Sequence, residues 1–284
     1  MRRAILLVCA LLGAALIAAP PALPGAAIAD DPGTRTNFES ADGPDDPADA
    51  PGDEAADDSG EPVPLLGLFG DPSGPDGERG PALPPPEQRL RSGDVNAGLV
   101  TREVPESGSG EFVVVAGDQE APDDDADKQI TLSIEVERNL HIDPERFGEF
   151  VLRTLNDDRS WPGENSVSFA RTDTDPDYRV MLATPQTVDA ECDPLDTGGE
   201  YSCATGSAAV LNAMRWTEGV AEYRESEATL TDYRRYLVNH EVGHLLGYGH
   251  VGCPAEGEPA PVMKQQSISV GQCEPNGWVV PDAE

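Results

Sequence analysis

The chain has 284 residues, 53 acidic against 19 basic, and a formal net charge of -34 at pH 7. So negative a chain repels nucleic acid and anionic membrane surfaces, which excludes both as partners held by charge. The length allows one or two domains with a sizeable core, provided that all of it folds.

The N-terminus reads "MRRAILLVCALLGAALIAAP", two arginines and then an apolar run, followed by Ala27 and Ala29 as a small-x-small site before Asp30. This is the pattern of a secretory signal covering residues 1–29, cleaved after Ala29. An uncleaved membrane anchor is the alternative, although the run is slightly short for a spanning helix. From Asp30 to Asp94 there are 17 acidic and 4 basic residues among Pro, Gly and Ala. Such a stretch buries too little apolar area to offset the entropy of ordering it, so residues 30–106 read as a disordered spacer or pro-segment. The apolar island Val63 to Phe69 is a short stray patch within it.

Beyond residue 107 the composition becomes that of a folded domain, 107–284. "GEFVVVAG" and "QITLSIEVE" read as strands, the second alternating Ile130, Leu132, Ile134 and Val136 on one face. In "DPERFGEFVLRTLND", Asp143 is an N-cap, Pro144 the first helical residue, and Phe147, Phe150, Val151 and Leu155 one apolar face. "SVSFAR" and "YRVMLAT" follow as strands, then a cysteine-bearing loop, then Ser207 to Trp216 as a fifth strand. A second helix runs over 230–246, with Thr229 or Thr231 as its cap. Strands, helix, strands and helix in this order predict one α/β or α+β domain with a mixed sheet.

Removal of the signal leaves Cys192, Cys203, Cys253 and Cys273, an even number that in an exported chain points to two disulfides. Of the three pairings, the short loops Cys192–Cys203 and Cys253–Cys273 are favoured. A zinc-thiolate cluster is disfavoured because no C-x-x-C pair is present.

Three of the four histidines fall within "NHEVGHLLGYGH". On a helix, His240 and His244 lie one turn apart on one face with Glu241 beside them, while Val238, Val242, Leu245 and Leu246 point the other way. Two imidazoles so placed can share one metal ion, and the neighbouring carboxylate can take a proton from metal-activated water. Gly247 can adopt positive φ, end the helix and return the chain so that His250 becomes a third ligand. Three neutral nitrogens leave one position of a tetrahedral zinc site open, as catalysis requires. H-E-x-x-H alone occurs by chance; the full H-E-x-x-H-x-x-G-x-x-H carries the inference. His141 stands apart as an ordinary residue.

"HEVGHLLGYGH", with Met263 thirteen residues further on in "APVMKQQS", resembles the zinc signature and methionine turn of the metzincin metalloproteases. Together with "SWPGENSVSFAR", "VLNAMRW" and "CEPNGW", it is similar to a family of secreted bacterial metzincin-like domains over about Gly110 to Trp278. The resemblance implies one catalytic zinc on His240, His244 and His250, Glu241 as general base and Met263 as a structural floor. It also implies a mixed, mostly parallel five-stranded sheet with a backing helix and an active-site helix. In such a fold an edge strand pairs with extended substrate, a role that suits Ser207 to Trp216. No tyrosine stands just after Met263 to serve as a further ligand, and Tyr248 suits either the cleft or packing.

The expected function is therefore that of a secreted or cell-surface zinc metalloendopeptidase, monomeric, acting on a peptide or protein. The alternatives are a zinc-containing surface-binding module without catalysis and an amidase acting on cell-wall peptides. A carboxylate of the acidic segment could also hold the zinc latent. A thiolate could not, because no cysteine lies between Asp30 and Glu191.

Overall fold

The computed structural model describes residues 89–162 and 166–281. The signal segment 1–29 and residues 30–88 of the acidic segment lie outside the described residues. The elements in order are α1 (Ser92–Asn96), β1 (Phe112–Val114), β2 (Lys128–Glu137), α2 (Pro144–Leu155), β3 (Val167–Arg171) and β4 (Tyr178–Ala183). They continue as α3 (Pro185–Cys192), β5 (Cys203–Thr205), β6 (Ala208–Asn212), α4 (Ala213–Glu218), α5 (Ala221–Arg224) and α6 (Leu230–Leu245). Among the described residues no helix is long and apolar enough to cross a membrane.

The strands form one mixed sheet of six, in the order β1-β2-β4-β6-β5, with β3 also paired to β2. β3, β2, β4 and β6 run parallel, while β1 and β5 are antiparallel to their neighbours. The alternation expected in β2 is observed: Ile130, Leu132, Ile134 and Val136 are buried on one face, in one core with Phe147, Phe150, Val151 and Leu155 of α2 and Val238 and Val242 of α6. Asp143 caps α2 by accepting from the Glu145 and Arg146 amides at 3.1 and 3.3 Å. Of the two candidate caps for α6, Thr229 serves, in a reciprocal capping box with Asp232.

The opposite face of the sheet carries a second, smaller core of Met181, Ala183, Val188, Ala208 and Val210, closed by the Cys192–Cys203 disulfide. Helix α3 covers it. The carboxylate of buried Glu137 fixes the start of that helix, accepting from the Thr184 amide at 2.8 Å and the Thr187 hydroxyl at 2.7 Å. The second disulfide, Cys253–Cys273, has Cα atoms 5.8 Å apart, so both expected pairings are present.

Three expectations need correction. The sheet has six strands rather than five, because Cys203–Thr205, expected as loop, pairs with β6. A three-residue strand tied by a cysteine is too short to show an alternating pattern. Ser207 to Trp216 is not an edge strand: Ala208–Asn212 lies between β4 and β5, and the chain then turns into α4, where Asn212 accepts from the Met214 amide at 3.0 Å. All five residues of β6 are buried, as befits a strand covered on both faces.

The third correction concerns the N-terminal limit, because the fold begins before residue 107. Ala97 and Leu99 are buried, and the Trp216 indole donates to the Ala97 carbonyl at 3.1 Å. Asp94 of α1 meets Arg234 of α6 at 2.7 Å, both fully buried, and pairs also with Arg102. Arg234 donates further to the Trp216 and Gly93 carbonyls at 2.8 and 3.1 Å. Composition could not reveal this, since the partners stand 140 residues apart.

Burial would raise the Asp94 pKa, but Arg234 and the Arg91 amide outweigh it and hold the carboxyl below its ordinary value. The pair therefore contributes stability above pH 3.8, lost as pH falls through the lower folded value. Asp94→Ala takes the carboxylate away from buried Arg234, which costs about 3–5 kcal/mol. Urea unfolding at pH 7 should show that loss, and the difference from the parent chain should shrink at pH 3.

Candidate metal centre

Helix α6 supplies His240, Glu241 and His244, and it ends as the sequence requires. Gly247 has φ +99°. The Tyr248 amide donates to the Gly243 carbonyl and the Gly247 amide to the His244 carbonyl, both at 3.0 Å, the paired bonds of a Schellman turn. The turn returns the chain, and His250 arrives beside the helix.

The Nε2 atom of His244 lies 3.3 Å from that of His240 and 3.1 Å from that of His250. Three nitrogens on a tetrahedral zinc at 2.0–2.1 Å would stand about 3.3–3.4 Å apart, so the spacing fits one ion between them. The outer nitrogens are oriented too: His240 Nδ1 is 2.8 Å from the Val262 carbonyl, and His244 Nδ1 is 2.8 Å from the Tyr248 carbonyl. A carbonyl accepts only from N–H, which leaves the lone pair of each imidazole on Nε2 facing the common point. These three histidines could hold a metal ion.

The electrostatics favour a cation there. Burial pushes Glu241 up to about 8 and His240 down to about 3; burial and then the His244 charge lower His250. Without a metal, Glu241 costs stability as pH rises above 4.5 and His240 costs it as pH falls below 6.5. The two ranges overlap, so every pH imposes one cost or the other, and a dication among the neutral imidazoles relieves the first by stabilising the carboxylate.

Met263 packs against this helix at Gly243. A β-turn closes over it through the Lys264 amide and the Pro261 carbonyl at 2.8 Å, and its own carbonyl accepts from the Val251 amide at 3.1 Å. Its sulfur and the Trp161 ring press on Gly243, where an added Cβ would collide with Met263 and lie 2.7 Å from Trp161. Gly243 is thus required by close approach rather than by backbone conformation.

Trp161 also stacks on Tyr248, with ring centroids 4.9 Å apart. Tyr248 thereby packs, while remaining 40% exposed. Trp161 received no role from the sequence, because its partner lies 87 positions away and indole stacking leaves no periodic signal. The same is true of Tyr236, whose hydroxyl accepts from the Gln266 amide at 2.9 Å and whose ring lies 5.1 Å from that of His240. His141 takes no part in the cluster and instead lies 3.0 Å from the Thr101 hydroxyl.

The histidines open into a cleft of about 500 Å³. Residues 195–197, 201 and 202 line it from the segment between α3 and β5, Cys203 and Ala204 from β5 itself, and Gln265, Ser267 and Ile268 from the segment after Met263. The edge strand bordering the site is thus β5, in the place where the sequence reading had put Ser207 to Trp216.

Two measurements follow from this geometry. Trp161→Leu removes the support of the Tyr248 carbonyl and should weaken zinc or cobalt binding by about 10–100-fold, as loss of an orienting partner does; competition with a chromophoric chelator reads it. Glu241→Gln removes the buried carboxyl, so the metal-free variant should lose none of the stability that the parent loses between pH 4.5 and 8. Thermal unfolding across that range in chelator would show parallel curves if the shift were absent.

No curated protein and no solved structure matches the chain significantly. One family model does match, over residues 99–281, which include every strand, the three histidines, Glu241 and Met263. The chain belongs to the family described as a protein of unknown function, DUF3152.

Proposed function

We propose that this chain is an exported zinc metalloendopeptidase of metzincin type, with His240, His244 and His250 as zinc ligands and Glu241 as general base. The observation that carries the reading is the convergence of three Nε2 atoms at 3.1 and 3.3 Å with a buried carboxyl beside them, at the floor of an open cleft. His240, His244 and His250 would hold the zinc, which would supply Lewis acidity toward a water and toward the substrate carbonyl oxygen. Glu241 accepts the proton of the attacking water at a carboxylate oxygen and returns it to the nitrogen of the leaving amine. Its burial excludes bulk water from that exchange, and the Val262 and Tyr248 carbonyls hold His240 and His244 in the ligating tautomer. An extended substrate adds to the sheet along β5, the antiparallel edge beside the cleft.

Export is supported by the signal pattern of residues 1–29 and by the two disulfides, which persist in oxidising compartments. Against a surface-binding module without catalysis stands Glu241, a carboxyl buried directly beside the ligand set, which metal binding alone does not require.

Purified protein should carry about one zinc per chain by elemental analysis, and His244→Ala should lose it. Glu241→Gln should keep the metal and cut peptide hydrolysis by about 10²–10⁴-fold. Full hydrolysis by that variant would exclude the mechanism; hydrolysis of cell-wall peptide amides alone would favour the amidase.

A further inference from the structure

We infer that the cleft recognises a cationic peptide with a large apolar side chain beside the bond to be cut, read by Leu195, Ile268 and Asp196. This deepens the peptidase reading and rests on it.

Among the described residues six large hydrophobic side chains are strongly exposed, and two of them line the cleft that holds the three histidines. Leu195 and Ile268, each 53% exposed, line the cleft itself. Tyr248 and Val251, 40% and 49% exposed, flank His250 in sequence on either side. Exposed apolar side chains scattered singly need no explanation, but Leu195 and Ile268, brought from two separate segments to one cleft, offer it an apolar surface. Each of the two lining residues is held by a turn: the Leu195 amide donates to the Cys192 carbonyl at 2.9 Å and the Ile268 amide to the Gln265 carbonyl at 3.0 Å. Their segments are anchored further, one by the Cys192–Cys203 disulfide, the other by the Tyr233 and Ser267 hydroxyls 2.8 Å apart. The apolar groups are therefore presented on fixed supports, at low cost in ordering when a ligand arrives.

Charge selects among apolar peptides. Apart from the histidines, the ionisable side chains lining the cleft are Asp196, Glu241 and the tyrosines Tyr201 and Tyr236; no lysine or arginine lines it. Asp196 is exposed beside Leu195, and Asp193 is exposed in the same segment. Beyond the metal site, a peptide carboxylate would find no lysine or arginine among the lining residues, while the chain as a whole carries -34. A substrate with lysine or arginine near the cut gains from Asp196 at short range and from the field of the protein at long range, an advantage that salt screens within about 8 Å at physiological ionic strength. The favoured substrate is thus an amphipathic basic segment, apolar at the cut and cationic in its flanks.

The test uses the zinc-loaded full chain and fluorogenic peptides with Leu, Phe or Gly at the centre and Lys, Ser or Glu in the flanks. Leu- or Phe-centred, Lys-flanked peptides should exceed the Gly-centred and Glu-flanked ones in kcat/KM by about 10-fold or more at low salt, and the flank effect should fade in 0.5 M NaCl. Asp196→Lys should reverse the flank preference, and Leu195→Ser and Ile268→Ser should each reduce the apolar preference by several-fold. Cleavage without regard to centre or flank overturns the inference and leaves the peptidase reading standing. If no peptide is cut, that reading fails, and anisotropy titration of labelled peptides with the zinc-loaded Glu241→Gln chain still decides recognition. Tighter binding of the apolar, Lys-flanked peptides supports it, and equal binding of all overturns it.

Discussion

Helix Leu230–Leu245 cannot turn or slide without leaving a buried polar group unpaired, and the candidate metal centre depends on that. Arg234 is fixed on Asp94. Asn239 accepts from the Ser160 hydroxyl at 2.7 Å and donates to the Gly277 carbonyl at 2.8 Å. Tyr236 holds the Gln266 amide, and His240 the Val262 carbonyl. These partners approach from α1, the segment after α2 and the C-terminal segment, so the helix is fixed from several directions at once. Each unmade bond in such an interior costs about 1–3 kcal/mol, enough to give the helix one rotational setting.

The C-terminal segment, with little regular structure of its own, is ordered by the same means. Gln266 is fully buried, accepting from the Tyr223 hydroxyl at 2.7 Å and the Asn276 amide at 3.0 Å, and donating to the Asn276 carbonyl at 2.8 Å. Asn276 in turn donates to the Ala260 and Trp278 carbonyls at 3.0 and 2.8 Å. The Cys253–Cys273 disulfide closes the loop that contains Met263. A side-chain network thus replaces the hydrogen-bond ladders of a helix or sheet, and it sets both the floor of the centre and the Ile268 side of the cleft. The apolar rim and the polar frame are parts of one arrangement.

Much of this was legible in particular residues. The alternation in Gln129 to Glu137, the Asp143-Pro144 start of α2 and the Thr229 cap are local signals, and each element formed where its signal stands. The three histidines that could hold a metal ion were legible because helical spacing and one glycine fix their meeting without reference to the rest of the chain. The edge strand was not, because Cys203–Thr205 is a strand only through its pairing with β6. Residues 89–99 were hidden for a related reason: an Asp and a few small residues look like spacer until Arg234 and Trp216 are brought to them.

The sequence by itself determined which side chains meet, since the order of three histidines, a glutamate and a glycine dictates which atoms can converge, and the spacing of four cysteines favoured the two short loops. Tertiary structure alone decided which strand borders the cleft, that Trp161 supports Tyr248, and that Leu195 and Ile268 share the opening with Asp196. The physical reason is range. Caps, helical faces and turns act over a few residues and are written in order along the chain, whereas stacking, buried ion pairs and the walls of a cleft join residues whose separation in sequence says nothing of their distance in space.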